Sequence, residues 1–307
     1  MKNKLPVVMG IAAALFFAIT FILNRSMSLS GSSWIWSASL RFYWMAPLLI
    51  LIVGQRRGLG QLLREIKGNY KMWLLWSTVG FGLFYAPLTY SAAYSPSWLL
   101  SGTWQFTIIA GIIMAPFLSK GKKNTIKVWQ KPALFSGVII TGVIFMMSGQ
   151  SQLLSASEIM KGTFPVIIAA FAYPLGNRKM MSLAGEKLDV FQRILGMVLC
   201  SMPFWLILCA YEYLRSHSLP ENSQLLQTFI VGIFSGVIAT SLFFAATQKV
   251  RNNNSQLAAV EATQATEILF ACIGEMVLLE AALPDTYGIV GIVLVVIGMT
   301  LHSIKRK

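Results

Sequence analysis

Acidic residues are scarce in this chain of 307 residues: 11 Asp and Glu stand against 25 Lys and Arg, for a formal charge of +14. Histidine occurs twice and cysteine three times. His217 and His302 lie near the ends of apolar stretches and far apart in the chain, whereas Cys200, Cys209 and Cys272 fall inside such stretches. Three thiols so placed make neither a disulfide framework nor a metal site, and read as buried packing groups. HExxH, GxSxG and Walker-type glycine loops are all missing. An intramembrane protease, a hydrolase and an ATP-driven pump are therefore without support. The chain is not expected to be an enzyme, and no cofactor or metal is expected. Long polar segments are missing too. No gap between apolar stretches exceeds about twenty residues, too little for a folded extramembrane domain. The first apolar stretch lacks a small-residue cleavage site and exceeds a signal-peptide core, so it is expected to remain as the first helix.

What is present is apolar sequence. A hydrophobic share of 56% and a mean hydropathy of +0.65 rule out an ordinary soluble domain. Ten spans are predicted, at about 5–27, 32–53, 72–94, 97–118, 133–150, 162–182, 190–211, 223–248, 256–280 and 285–303. Each is close to the ~20 residues that cross ~30 Å of hydrocarbon as helix.

Twenty-one of the 25 basic residues fall in alternate gaps. These are Lys2 and Lys4; Arg56, Arg57, Arg64, Lys67 and Lys71; Lys120, Lys122, Lys123, Lys127 and Lys131; Arg178, Lys179, Lys187 and Arg193; Lys249 and Arg251; and Lys305, Arg306 and Lys307. The other gaps hold only Arg25, Lys161 and Arg215, and Arg41 lies within a span. Basic residues stay on the cytoplasmic side during insertion, so both termini are expected in the cytoplasm of a multi-pass protein of the cell (plasma or inner) membrane. The partition accounts for the positive charge without nucleic acid as a partner; the lipid bilayer is the partner it implies.

The chain reads as a five-helix unit used twice: 1–150, an external linker 151–161, and 162–307. Asn24-Arg25-Ser26-Met27 is echoed by Asn177-Arg178-Lys179-Met180, Arg41 and Met45 by Arg193 and Met197, and Pro47 by Pro203. Val79-Gly80 matches Val231-Gly232, and Gln105-Phe106-Thr107 matches Gln264-Ala265-Thr266. The shared order at offsets of 152 to 159 is what carries weight. Five is odd, so the second unit must enter the membrane from the opposite side. The predicted fold is an all-α membrane protein of ten transmembrane helices in two inverted five-helix repeats. Secondary transporters use that architecture to open one central site alternately to either side.

The last two spans carry Gly274-Glu275, Leu279-Glu280, Gly288-Ile289-Val290-Gly291 and Ile297-Gly298. With the five-plus-five organisation, these resemble the EamA-like members of the drug/metabolite transporter superfamily. Glu261-Ala262-Thr263-Gln264-Ala265-Thr266-Glu267 resembles its multidrug resistance efflux (EmrE-like) branch in particular. The resemblance covers the whole chain through short, degenerate motifs. It implies a central cavity lined by spans one, three, four, six, eight and nine. The superfamily's small four-helix exporters carry a glutamate in their first helix. The first span here has no acidic residue, so proton coupling does not transfer by position.

The ninth span is chemically unusual. At 100° per residue Glu261, Gln264, Glu267 and Glu275 fall within an arc of about 120°, so they form one polar stripe. Carboxylates are costly in hydrocarbon unless paired, hydrated or protonated, so this stripe is expected to face protein or a wet cavity. Glu267 lies ~16 Å from the cytoplasmic end and is the leading candidate for binding a proton or cation, with Glu261 and Gln264 beside it. Arg41 lies ~12 Å from the outer end and could neutralise Glu267 or Glu275; a structural ion pair is its leading reading. For Glu275 and Glu280, near the outer surface, solvation or capping is the expected role.

Aromatic and polar side chains complete the expected cavity: Trp104, Gln105 and Ser101 with Trp98 on one face of the fourth span, and Tyr85, Tyr90, Trp44 and Tyr173. A carboxylate flanked by aromatic faces suits a lipophilic cation, since desolvated cation–π contacts contribute roughly 2 kcal/mol each. Core or lipid packing is an equal reading for any one of them. Trp34, Trp36, Trp73, Trp76 and Trp129 read as an interfacial belt.

The sequence thus points to a secondary transporter that exports small amphipathic or cationic molecules in exchange for protons. An uncoupled exporter of amino acids or other metabolites is the alternative within transport, and a membrane scaffold or receptor the alternative outside it. A homodimer is left open.

Overall fold

The computed structural model describes residues 5–118, 130–150, 155–185, 187–250 and 254–304. Lys2, Lys4, Lys120, Lys122, Lys123, Lys127, Trp129, Arg251, Lys305, Arg306, Lys307 and linker residues 151–154 lie outside them. Among the described residues there are helices and no strand. Two long rods, α1 (Leu5–Leu29) and α2 (Trp34–Gln55), are followed by a short helix, α3 (Leu59–Gly68). Next, α4 runs through Tyr70–Ser77, a π segment Thr78–Gly82 and Leu83–Ser91, while α5 comprises Ser97–Trp104 and Phe106–Leu118. Then come α6 (Gln130–Gln150), α7 (Ala156–Ala184) and α8 (Val190–Ser216). The rod α9 comprises Asn222–Val231, a π segment Gly232–Ala239 and Thr240–Lys249. Finally, α10 comprises Asn254–Ala262, a 3-10 turn Thr263–Ala265 and Thr266–Leu278, and α11 is Thr286–Ile304.

Five of these, α1, α2, α7, α8 and α9, are long and apolar enough to cross a membrane by length and composition. In hydrocarbon a backbone must satisfy its own hydrogen bonds, and a helix does so within one segment. Large apolar side chains face outward, among them Leu206 and Ile207 on α8 and Val277 on α10. That is the surface of a protein solvated by lipid rather than water.

Local sequence explains where the rods deviate. The π segment of α4 is Thr-Val-Gly-Phe-Gly, and Pro87 in the turn beyond it donates no backbone hydrogen bond. Here α4 meets α7 glycine to glycine. A Cβ on Gly80 would stand 3.3 Å from the Gly176 Cα, and one on Gly176 would collide with the Gly80 backbone. At the π segment of α9, a Cβ on Gly232 would stand 3.1 Å from the Arg41 carbonyl oxygen. Small residues at these crossings let rods approach where apolar burial supplies little drive between helices.

One apolar cluster centres on Phe42, Tyr85 and Trp205, and a second joins α6 and α11 through Ile139 and Val295. Trp73 belongs to the first, at 1% exposure, and packs against Gly196 and Leu62. Its expected place in an interfacial belt is therefore corrected: the small face of α8 gives it a core socket. The basic gap after α2 also holds more than loop. Its α3 bonds the α7–α8 turn through Gln61 Nε2 to the Lys187 carbonyl (2.7 Å) and through the Lys187–Glu65 ion pair (3.3 Å). Gln192 Nε2 donates to the Gly58 carbonyl at 2.9 Å, while Asp189 and Gln192 form a capping box that starts α8.

Candidate functional site

Two adjoining spaces lie between the rods, sharing part of their walls. The larger, about 610 Å³, is bounded by α5, α7, α8, α9 and the first part of α10, and its wall reaches the exposed turn at Gly185 and Asp189. The smaller, about 40 Å³, lies deeper among α1, α2, α4 and α9. It exceeds the space one water needs. Trp104, Tyr173 and Gln264 line both spaces and form the partition between them. Phe84 completes an aromatic cluster with these rings, 4.8 Å from Tyr173 and 5.0 Å from Trp104.

Glu267 lines the inner chamber at 1% exposure, and neither carboxylate oxygen has a hydrogen-bond partner among the described residues. The 3-10 turn at Thr263–Ala265 breaks α10 immediately before it. Glu261 lines the outer cavity, Gln264 sits at the partition, Glu267 faces the chamber, and Glu275 leaves the path altogether. Glu275 accepts from the Ser97 backbone N–H at 2.8 Å, an anion at the start of α5 where helix N–H groups are unpaired.

The expected pairing of Arg41 is also corrected: no ion pair within 4.0 Å joins it to Glu275 or to Glu267 among the described residues. Its guanidinium lies 4.2 Å from the centre of the Tyr85 ring, in the chamber wall. Arg25, on α1, is the cation electrostatically coupled to Glu275, and it also donates to the Ala92 and Ala93 carbonyls at 3.0 and 3.1 Å. Polar burial is thus met by backbone and ring faces more than by ion pairs.

Trp104, Gln105 and Tyr173 line the outer cavity. Gln105 Nε2 donates to the Ser101 carbonyl at 3.0 Å and to the Gln264 carbonyl at 3.4 Å, so the two members of a matched repeat position touch. Ser101, Tyr85, Tyr90 and Trp44 line neither space. Ser101 is buried and bonds the Trp98 carbonyl, and Trp98 itself packs in the α6–α11 cluster. Tyr85 bonds Asn24 and carries Arg41; Tyr90 packs edge-on against Trp34; Trp44 donates to Thr228 at 3.2 Å.

Arg193 is the residue that sequence reasoning misplaced. Counted with the cytoplasmic charges, it is 9% exposed, lines the outer cavity and lies 4.6 Å from the centre of the Phe244 ring. Its repeat match to Arg41 was the signal that could have placed it.

Fold and cavity together define a multi-pass, all-helical membrane protein with a charged path into its core. The chain belongs to the family described as "EmrE: Putative multidrug resistance efflux transporter", whose profile matches residues 4–307, a transporter family of the drug/metabolite transporter superfamily. It is 49% identical over 310 residues to "Uncharacterized protein YjlA" of Bacillus subtilis (strain 168), covering 98% of this chain and 95% of that protein. It is 43% identical over 263 residues to "Uncharacterized 42.1 kDa protein in intracellular alkaline protease 3'region" of Shouchella clausii, covering 84% and 69%. A solved structure described as "Crystal structure of protein" superposes with a TM-score of 0.65 at 13% identity, over 98% of this chain and 99% of that one. That likeness concerns the fold.

Proposed function

We propose that this protein is a secondary active transporter that exports small amphipathic or cationic molecules by proton antiport with alternating access. In this reading ten spans form two inverted five-helix repeats in the cell membrane, with both termini in the cytoplasm. Packing supports the repeat: α1 lies on α9 as α7 lies on α4, while α2 pairs with α8 and α6 with α11. The glycines of the two π segments meet matching methionines, Gly80 against Met197 and Gly236 against Met45. By the basic-residue rule the outer cavity opens to the cytoplasm, since its mouth is the turn that carries Lys187 and Asp189.

One observation carries the proposal: the Glu267 carboxylate, without a hydrogen-bond partner among the described residues, faces a chamber that shares three wall residues with a cavity large enough for a small molecule. A carboxylate held this way can take a proton or a cationic group but not both. That exclusion couples the two fluxes. Trp104, Tyr173 and Phe84 offer aromatic faces beside it.

The test is efflux from proteoliposomes with a panel of cationic, zwitterionic and anionic aromatic compounds, with and without an imposed pH gradient. Gradient-dependent movement of at least one compound, with counterflow of protons, is expected. Movement indifferent to the gradient would contradict antiport, and no movement of any compound would contradict transport.

A further inference from the structure

The charged side chains lining the path are three of each sign, Arg41, Arg178 and Arg193 against Asp189, Glu261 and Glu267, so the lining as a whole does not favour a cation. Asp189 is engaged, accepting from the Gln192 N–H at 2.8 Å and facing Arg56 at 3.8 Å. Arg178 and Glu261 both have partners within the protein. Among the described residues three groups remain that line the path and make neither a hydrogen bond nor an ion pair through their side chains: Glu267, Arg41 and Arg193. All are nine-tenths or more buried. Of these three, two are positive and one is negative.

The two arginines are held alike. Arg41 projects from α2 over Tyr85 of α4, and Arg193 projects from α8 over Phe244 of α9, with ring distances of 4.2 and 4.6 Å. These are the second and third long rods of each half. A guanidinium stacked on a ring keeps its N–H groups at its edge, the geometry that grips a carboxylate through two parallel hydrogen bonds. In both arginines Nε is buried without a partner. A buried donor left unpaired is costly, and a ligand that supplies the acceptor recovers that cost.

We propose that Arg193 is the anion-recognition residue of the open cavity and that the transported compounds are small amphipathic molecules bearing a carboxylate. Arg41 holds the equivalent position in the inner chamber. A zwitterion satisfies the whole path, its carboxylate on arginine and its amine on Glu267, with the apolar body against Trp104 and Tyr173. This rests on the reading of the path as a transport route and narrows its substrates.

The test is calorimetric binding of three probes that share one phenyl body to the full-length protein in nanodiscs. The probes are 3-phenylpropionate with a carboxylate, phenethylamine with an amine, and phenylalanine with both. Hydrogen bonds to charged groups are worth about 1.5–3 kcal/mol, so the two carboxylate probes should bind at least about tenfold tighter than phenethylamine. Arg193→Gln should abolish that advantage and leave phenethylamine unchanged or tighter, while Arg193→Lys retains part of it. If phenethylamine binds tightest, or Arg193→Gln weakens all three equally, the assignment is wrong. Should Arg193→Gln fail to fold, the order of the three probes on the wild-type protein decides alone. Binding of a lipophilic cation with none of the three probes would overturn the carboxylate class and leave transport standing. If proteoliposomes move no compound of any charge, transport itself falls, and the binding order still judges the anion site.

Discussion

The backbone N–H of Ser97 donates to Oε2 of Glu275 at 2.8 Å, joining α10 to the first residue of α5. Ser97 Oγ donates to the Phe21 carbonyl at 3.2 Å, and Arg25 reaches the Ala92 and Ala93 carbonyls. This end of the bundle is pinned by polar contacts between α1, α4, α5 and α10. The 610 Å³ cavity lies toward the opposite end. Alternating access needs such an asymmetry, with one end bonded shut and the other parted.

Glu275→Ala removes the acceptor from a buried N–H and should cost about 1.5–3 kcal/mol, read as a lower unfolding temperature of the detergent-solubilised protein. Glu275→Gln keeps an acceptor oxygen and should cost less. Equal stability of both variants with the wild type would show that the contact is dispensable.

Gly176→Ala should be the more damaging of two glycine substitutions. Its new methyl meets the Gly80 backbone, which has no rotamer by which to yield, whereas Gly80→Ala meets Met197 Cε at 3.1 Å and Gly176 Cα at 3.3 Å. Overpacking of this kind costs about 1–3 kcal/mol. Expression and thermal unfolding of the two variants give the order, and a reversed order would refute the described crossing.

Reporter fusions test the orientation. Those placed after Lys123 and after Lys307 should read cytoplasmic, and one after Ser155 should read external. A cytoplasmic reading at Ser155 would leave the first unit with an even number of spans and remove the inversion.

Much of the fold was legible because hydropathy and the basic-residue partition are summed over many residues. The predicted span 5–27 lies within Leu5–Leu29, and 223–248 within Asn222–Lys249. The failures came where one residue's partner decides the outcome. Arg193 looked like a membrane-edge charge, yet the ring of Phe244, some fifty residues away in sequence, makes it a cavity residue. The stripe on α10 divides by partner: Glu261, Gln264 and Glu267 line the two spaces, whereas Glu275 accepts from the Ser97 N–H. Trp73 resembled an interfacial residue until Gly196 supplied its socket. Tyr85 was expected to touch substrate and instead carries the arginine that lines the chamber. Glu267, Trp104, Gln105 and Tyr173 line the two spaces, and a deep carboxylate with aromatics near it is rare enough in a membrane sequence to stand out.

The most direct test of the account is gradient-driven efflux by Glu267→Gln in proteoliposomes. Glutamine keeps the shape of the side chain and removes its charge and its titration, so expression and unfolding temperature should be close to wild type. Glu261→Gln, in the cavity open to solvent, serves as the comparison and should retain most of the activity. The account predicts that Glu267→Gln loses both pH-gradient-driven efflux and substrate-induced proton release. Wild-type accumulation of substrate against a pH gradient by Glu267→Gln would contradict it.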